Sequence, residues 1–226
     1  MVTAGIDGIR LDYQVTGEPD APPMVLLHGL GSGAGSWDSV AGQLAGTHRV
    51  YALDMRGHGS SDWPGTYSFE LMRDDVAAFL DALSLDRVVL IGHSMGGVVG
   101  LLLAESHGDR LTGLILEDTP IPFTRATPVP VRQRPDGPVP FDWPVIEAII
   151  GQLNAPDPAW PDMIPRIAVP TLIIAGGPAS SIPQDWLSQV AALIPGCVLT
   201  TIPVGHRIHQ NAPVEFLTAV SAFLRT

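Results

Sequence analysis

The stretch 88–100, which reads VVLIGHSMGGVVG, constrains the fold of this chain more than any other. Its apolar, mostly β-branched start ends at Gly92, and an apolar segment of helical length follows directly after Gly96. This order predicts a strand, a sharp turn with Ser94 at its apex, and a helix. A serine at so tight a turn needs a strained backbone, and glycine two residues before and after it removes side chains that would collide with the neighbouring strand and helix.

Two backbone segments are predicted to lie near the Ser94 hydroxyl. The turn lifts this hydroxyl clear of the sheet edge and points the Met95 N–H to the N-terminus of the new helix, where partial positive charge collects. A second segment, 29–35, holds four glycines in seven residues directly after an apolar run. Because glycine lets backbone approach a ligand closely, this loop is favoured as the second donor to a developing oxyanion.

The rest of the chain alternates between apolar strand-like runs and helical patterns. Such alternation predicts an α/β fold with a doubly wound, mostly parallel sheet, whose ligands bind at the carboxyl ends of the strands. An N-terminal hairpin over 2–16, with Asp7-Gly8 as its turn, precedes the alternation. The predicted strands are 24–27, 49–53, 88–91, 111–116, 171–175 and 198–202, and the predicted helices include 68–83, 184–193 and 214–224.

Residues 119–168 interrupt the alternation. Twelve of the 22 prolines lie between 120 and 165, but the segment also carries aromatic side chains that a solvated linker would lack. We therefore predict a small proline-rich cap, inserted into a core made of 1–118 and 169–226. Three of its aromatic residues are expected to reach over the cleft and bind substrate: Phe123, Phe141 and Trp143.

Composition excludes several classes of chemistry. The formal net charge is −11 and all twelve basic residues are arginine, so nucleic acid is not an expected partner. The absence of lysine excludes Schiff-base chemistry and a Ser-Lys dyad, so any base for Ser94 must be histidine or a carboxylate.

The single cysteine, Cys197, excludes an intramolecular disulfide and a cysteine metal cluster. None of the histidines at 48, 58, 93 and 107 has metal-ligand spacing with another, and no metal is expected. The first residues lack a charged start followed by an apolar run, and no window approaches 18 uninterrupted apolar residues. We therefore predict a soluble, cytoplasmic protein with no membrane partner.

Taken together, five motifs resemble those of the α/β-hydrolase superfamily over essentially the whole chain. They are HGLGSG at 28–33, DMRGHGSSD at 54–62, GHSMGG at 92–97, PTLIIAGG at 170–177 and VGHRIH at 204–209. The resemblance implies the α/β-hydrolase fold with helices on both faces of the sheet. It also implies that Ser94 is the nucleophile and that His206, after the last strand, is the base.

The acid of the implied triad departs from the common family pattern. The resemblance places it in the loop 176–183, at Ala179, where no carboxylate is present. Some members take the acid from the end of the preceding strand, which here means Glu117 or Asp118. We favour Asp118 because it lies further past the strand end, and interpret Glu117 as a structural carboxylate near the cap hinge. The competing explanation is an inactive relative that has lost its acid.

His209 is the rival base, since it lies three residues after His206. We favour His206 because it comes directly off the strand and follows a glycine. Among the other candidates, His93 is expected to pack under the elbow helix, and Asp54 and Arg56 are interpreted as a local ion pair.

These residues predict hydrolysis of small, mainly apolar carboxylic esters through an acyl-enzyme, without a cofactor. Ser94 attacks, His206 transfers the proton, Asp118 orients the imidazole, and the N–H groups of Leu30 and Met95 bind the oxyanion.

Lactone, thioester and carbon–carbon bond hydrolysis use the same parts, and a non-catalytic receptor of small ligands is the alternative from another class. A serine at the elbow argues against epoxide-hydrolase and dehalogenase chemistry, since relatives of those types use aspartate there. The sequence does not predict the oligomeric state.

Overall fold

A computed structural model describes residues 2–6, 8–121, 123–124, 126–131 and 133–225. Its eight strands form one sheet in the order β1-β2-β4-β3-β5-β6-β7-β8, and all pairings from β4 onward in that order are parallel. The strands are β1 Val2–Ile6, β2 Ile9–Thr16, β3 Pro23–Leu27, β4 Arg49–Leu53, β5 Val88–His93, β6 Leu111–Glu117, β7 Thr171–Ala175 and β8 Val198–Thr201.

Eight α-helices connect and flank these strands in the described part of the chain. They are α1 Asp38–Leu44, α2 Phe69–Ala82, α3 Met95–Ser106, α4 Pro144–Asn154, α5 Trp160–Met163, α6 Gln184–Leu193, α7 Ile208–Asn211 and α8 Pro213–Phe223. This arrangement confirms the predicted mostly parallel, doubly wound sheet. Among the described residues, no helix is both long and apolar enough to cross a membrane.

The sheet separates two apolar layers. Helices α1 and α8 pack on one face around Trp37 and Phe216, while α2, α3, α4 and α6 pack on the other. Every residue of β5 is buried, as a central parallel strand covered on both faces requires. The elbow after β5 therefore stands at the end of a fully buried strand inside the sheet.

The N-terminal hairpin is confirmed, since β1 pairs antiparallel with β2 and Ile6 lies opposite Ile9. Its predicted turn residue Asp7 lies outside the described residues, while Gly8 adopts φ +82°. The helix predicted over 68–83 begins after Ser68, whose hydroxyl accepts a hydrogen bond from the Leu71 N–H at 3.1 Å and so caps the first turn.

The segment between β6 and β7 contains α4 and α5. One side of α4 is buried in the same apolar layer as α2 and α3, and the Gln152 side chain accepts a hydrogen bond from the Phe69 N–H at 2.8 Å. The segment is thus anchored to α2 rather than solvated. Its division from the core at residues 119–168 stays a prediction.

Candidate active site

Ser94 has the strained backbone that the turn requires, with φ +52° and ψ −116°. A Cβ on Gly92 would lie 2.4 Å from the Gly96 carbonyl oxygen, and a Cβ on Gly96 would lie 2.3 Å from that of Leu27. Both approaches are impossible for a larger residue. The two glycines therefore let β5 turn directly into α3 with the serine at the apex.

The structure brings Ser94, His206 and Asp118 into one chain of hydrogen bonds. Ser94 Oγ lies 3.0 Å from His206 Nε2, and His206 Nδ1 lies 2.7 Å from Asp118 Oδ2. A carboxylate at Nδ1 fixes the proton on that nitrogen and leaves Nε2 as an acceptor. The imidazole is therefore oriented to take the serine proton.

Asp118 is fully buried at the end of β6 and is surrounded by donors. Its Oδ1 accepts hydrogen bonds from the Gly176 N–H at 2.8 Å and from Gln184 Nε2 at 3.3 Å, and its Oδ2 accepts one from the Ser180 hydroxyl. Burial raises the pKa of this carboxyl, but its hydrogen bonds with His206, Ser180 and Gly176 outweigh that effect and hold the pKa below its ordinary value.

Sequence reasoning missed the contribution of Ser180 and Gln184. Ser180 lies in the loop after β7 where the acid is expected but absent, Gln184 is the first residue of α6, and both donate to Asp118. The polar residues that follow Ala179 were the available signal. The loop thus supplies donors to a carboxylate that comes from the neighbouring strand.

Two buried histidines hold the glycine-rich loop after β3. His28 Nδ1 donates to the Gly29 carbonyl oxygen at 2.8 Å, and His58 Nε2 accepts from the Gly31 N–H at 3.1 Å. The N–H of Leu30, which lies between these anchored groups, donates no hydrogen bond within the described part of the chain. This N–H is therefore available to a ligand.

The Met95 N–H at the start of α3 likewise donates no hydrogen bond to any described residue. The glycine loop lies beside it, because a Cβ on Gly29 would be 3.3 Å from the Ser94 Cβ. The glycine loop and the start of α3 thus each place one unpaired N–H, of Leu30 and of Met95, near the serine.

Two interpretations from the sequence are wrong in this region. Arg56 pairs with Asp75 of α2 rather than with Asp54, which instead accepts from the Ala34 N–H at 2.7 Å and the Ser60 N–H at 3.0 Å. His93 does not pack under the elbow helix. Its Nε2 donates to the His206 carbonyl oxygen at 2.8 Å.

Burial lowers the pKa of three histidines around the site, to about 4 for His28, about 3 for His58 and about 4 for His93. In the unfolded chain these three side chains bind protons near pH 6.5, whereas in the folded protein they stay neutral to a lower pH. Protonation below pH 6.5 therefore favours the unfolded state, and the free energy of unfolding falls as the pH drops toward the folded pKa values. We expect the free energy of unfolding to fall by about 2 kcal/mol per histidine between pH 7 and pH 5, as measured by urea unfolding.

His58→Gln is the matched control for this pH effect. The glutamine oxygen can still accept from the Gly31 N–H, but it does not titrate. The variant should therefore lose stability less steeply between pH 7 and pH 5 than the wild type. Identical slopes for the two proteins would contradict the assignment of His58 as a buried neutral histidine.

The predicted substrate-binding aromatics lie in two places. Phe141 packs beside the glycine loop, since a Cβ on Gly31 would be 3.3 Å from its ring, and its ring stacks with Trp143 at 5.9 Å. Phe123 instead meets Trp186 of α6 edge-on at 5.7 Å. Trp186 was not predicted from the sequence.

A family model described as alpha/beta hydrolase fold matches residues 22–138, about half of the chain. The chain therefore belongs to the α/β-hydrolase family. The sn-1-specific diacylglycerol lipase ABHD11 of Mus musculus is 26% identical over 267 aligned positions, which cover 98% of this chain and 87% of that protein. Epoxide hydrolase 4 of Mus musculus is 36% identical over 118 residues, which are 51% of this chain and 33% of the relative. The chain thus spans about a third of the length of the epoxide hydrolases it matches.

Two solved structures are similar over the whole chain. The enol-lactonase from Burkholderia xenovorans LB400 is 26% identical with a TM-score of 0.89, and all of both chains is covered. Est816, described as an N-acyl homoserine lactone degrading enzyme, is 28% identical with a TM-score of 0.83, covering 98% of this chain and 100% of its own. The α/β-hydrolase family that the chain belongs to thus has lactone-degrading enzymes among the structures similar to this chain.

Proposed function

We propose that the protein is a serine hydrolase that cleaves small, mainly apolar carboxylic esters through an acyl-enzyme. The observation that carries the proposal is the continuous hydrogen-bond chain from Asp118 through His206 to Ser94. A buried acid, an oriented imidazole and a serine on a strained turn are the parts that nucleophilic acyl transfer requires.

In this mechanism Ser94 Oγ attacks the ester carbonyl as His206 Nε2 accepts its proton. The Asp118 carboxylate stabilises the imidazolium that forms, and the unpaired N–H groups of Leu30 and Met95 donate to the oxyanion. His206 then returns the proton to the leaving alcohol. Water attacks the acyl-enzyme by the same route and releases the acid.

No cofactor or metal takes part in the proposed reaction. Among the described residues, no group of three or more histidine, cysteine, aspartate or glutamate side chains is arranged to hold a metal ion. We also propose a cytoplasmic location, which the single cysteine supports, and no nucleic-acid partner, which the net charge of −11 supports.

The aromatic residues near the site support an apolar substrate. Phe141 and Trp143 stack on each other, and Phe141 lies against the loop that carries the Leu30 N–H. A small acyl or alkoxy group bound near the oxyanion would meet the Phe141 ring. Phe123 and Trp186 form a second aromatic pair beyond the end of β6.

Phe141→Ala is expected to change the preference among acyl chain lengths, because it removes apolar surface beside the oxyanion loop. The change in discrimination should be about 1–3 kcal/mol per substrate methylene affected. Comparing kcat/KM for p-nitrophenyl acetate, butyrate and octanoate measures it, with Trp63→Ala as the control for loss of an exposed aromatic side chain. A uniform loss over all chain lengths would contradict a role in binding.

Lactone hydrolysis is the second candidate, because the enol-lactonase and Est816 match the chain over 98–100% of its length. A lactone is a cyclic ester, so the same serine, base and N–H donors suffice. Thioester and carbon–carbon bond hydrolysis remain further alternatives with the same parts. Epoxide hydrolysis is not supported by the partial match to epoxide hydrolases, since this chain has serine at the elbow.

A panel of acyl esters, lactones and thioesters tests the proposal, combined with a phosphonate or sulfonyl fluoride reagent and mass spectrometry. We expect turnover of p-nitrophenyl acetate and butyrate and a single covalent adduct on Ser94. An adduct on another residue would assign the nucleophile to that residue instead of Ser94. No turnover of any substrate and no adduct would favour a non-catalytic receptor.

A further inference from the structure

Behind the proposed triad lies a second carboxylate–histidine pair that the mechanism above does not use. Glu117 Oε2 lies 2.7 Å from His209 Nδ1, and Glu117 Oε1 accepts a hydrogen bond from the His209 N–H at 2.9 Å. The two residues are 0% and 1% exposed. Both oxygens of Glu117, which the sequence interprets as a structural carboxylate near the cap hinge, thus bind His209 after the last strand.

The two pairs share one strand end. Glu117 is the last residue of β6 and Asp118 follows it with φ +41°, and the two side chains meet different residues after the last strand. Asp118 bonds the ring of His206, while Glu117 bonds both the ring and the backbone of His209, three residues later. The end of β6 therefore holds the segment that carries His206 and His209 at two points instead of one.

Neighbouring elements complete the support for this loop. His93, at the end of β5, donates to the His206 carbonyl oxygen, and its ring centroid lies 4.7 Å from that of His206 and 5.2 Å from that of His209. On the other side, the Trp37 ring stacks on His209 at 4.1 Å, and the Ser39 hydroxyl donates to the His209 carbonyl oxygen at 2.8 Å.

Glu117 places a buried negative charge beside the loop that carries His206. Burial raises the pKa of Glu117, but His93 and His209 more than offset this and keep that pKa below its ordinary value, so the carboxylate is ionised at neutral pH. His93 is neutral there because burial lowers its pKa to about 4.

The charged and titratable groups around His206 come from three neighbouring elements and from its own loop. Asp118 and Glu117 from β6 are negative, His93 from β5 is neutral, and His209 from α7 is paired with Glu117. On its own loop, Arg207 is exposed, so solvent screens its charge.

We propose that Glu117 is a positioning residue for hydrolysis, which holds the loop of His206 through His209 and stabilises the protonated imidazole with its buried charge. The inference rests on the proposed function, because it assigns a role toward the base of that same site. A pair that served folding alone would change the stability of the protein but not the titration of His206.

Glu117→Gln tests the proposal because it keeps the shape of the side chain and removes its charge. We expect kcat to fall about tenfold with KM nearly unchanged, since the lost interaction acts on the transition state. The midpoint of the acid limb of kcat/KM, which reports the pKa of His206 in the free enzyme, should move down by about 0.5–1 pH unit.

Two variants serve as controls. Glu215→Gln removes the same charge at an exposed position of α8 and should leave both kcat and the acid limb as in the wild type. His209→Asn keeps the Glu117 charge and a side-chain N–H near the former Nδ1. It should lower kcat less than Glu117→Gln does and leave the pKa of His206 unmoved.

An NMR titration of the His206 ring separates this proposal from the proposed function, because it needs no turnover. A lowered pKa of His206 in Glu117→Gln supports the inference even if no ester is cleaved, in which case only the proposed function fails. Wild-type kcat together with an unchanged His206 pKa in folded Glu117→Gln would overturn it. If Glu117→Gln does not fold, His209→Asn provides the test instead, and a wild-type kcat in His209→Asn overturns the positioning role of Glu117.

Discussion

Ser94→Ala is expected to lower ester turnover by about 10⁶-fold, as removal of the nucleophile does in serine hydrolase triads. The Ser94 hydroxyl makes one side-chain hydrogen bond in the described part of the chain, to His206 Nε2, so its loss removes the attacking group with little effect on packing. Turnover of p-nitrophenyl butyrate by purified protein measures the effect. The thermal midpoint should stay close to that of the wild type.

A matched control is Ser221→Ala, which removes the hydroxyl of an exposed serine on α8. It should keep wild-type turnover and should still react with the phosphonate reagent at Ser94. If Ser94→Ala folds normally and hydrolyses esters at close to the wild-type rate, the acyl-enzyme mechanism is wrong.

The parts of this fold that the sequence predicts are those encoded locally. The elbow needs only a buried strand, two glycines around Ser94 and an apolar helix, all within thirteen residues, and its geometry follows from the clashes that those glycines avoid. The parallel sheet likewise follows from the alternation of short apolar runs with helical patterns. That topology also places His206 and Asp118 at the same edge of the sheet, where the parallel strands have their carboxyl ends.

The contacts that the sequence did not predict join residues far apart in the chain. Glu117 and His209 are separated by 92 positions, and Asp118 and Ser180 by 62. No local periodicity specifies which backbone N–H, hydroxyl or ring donates to a given carboxylate. The expected pair Asp54–Arg56 failed for the same reason, since Arg56 found its partner 19 residues away on α2.

Asp118→Asn is expected to lower turnover by about 10⁴-fold, the loss seen when the orienting carboxylate of a triad becomes an amide. The asparagine NH₂ would donate to His206 Nδ1 and so move the ring proton to Nε2, where it faces Ser94 and blocks proton transfer. The value of kcat measures this loss. The comparison is Glu117→Gln at the adjacent position, for which we expect kcat to fall only about tenfold. The reverse ranking of the two variants would make Glu117 the acid.

Adding Ala179→Asp to the Asp118→Asn background should restore part of the lost turnover. Position 179 lies beside the base loop, because a Cβ on Gly205 would be 3.8 Å from the Ala179 Cβ, and Gly205 precedes His206 directly. A carboxylate there can approach Nδ1 from the loop after β7 and return the ring proton to that nitrogen. Ala179→Asn in the same background, which adds similar bulk without charge, should restore nothing. Equal turnover in the two double variants would show that a carboxylate at 179 does not orient His206.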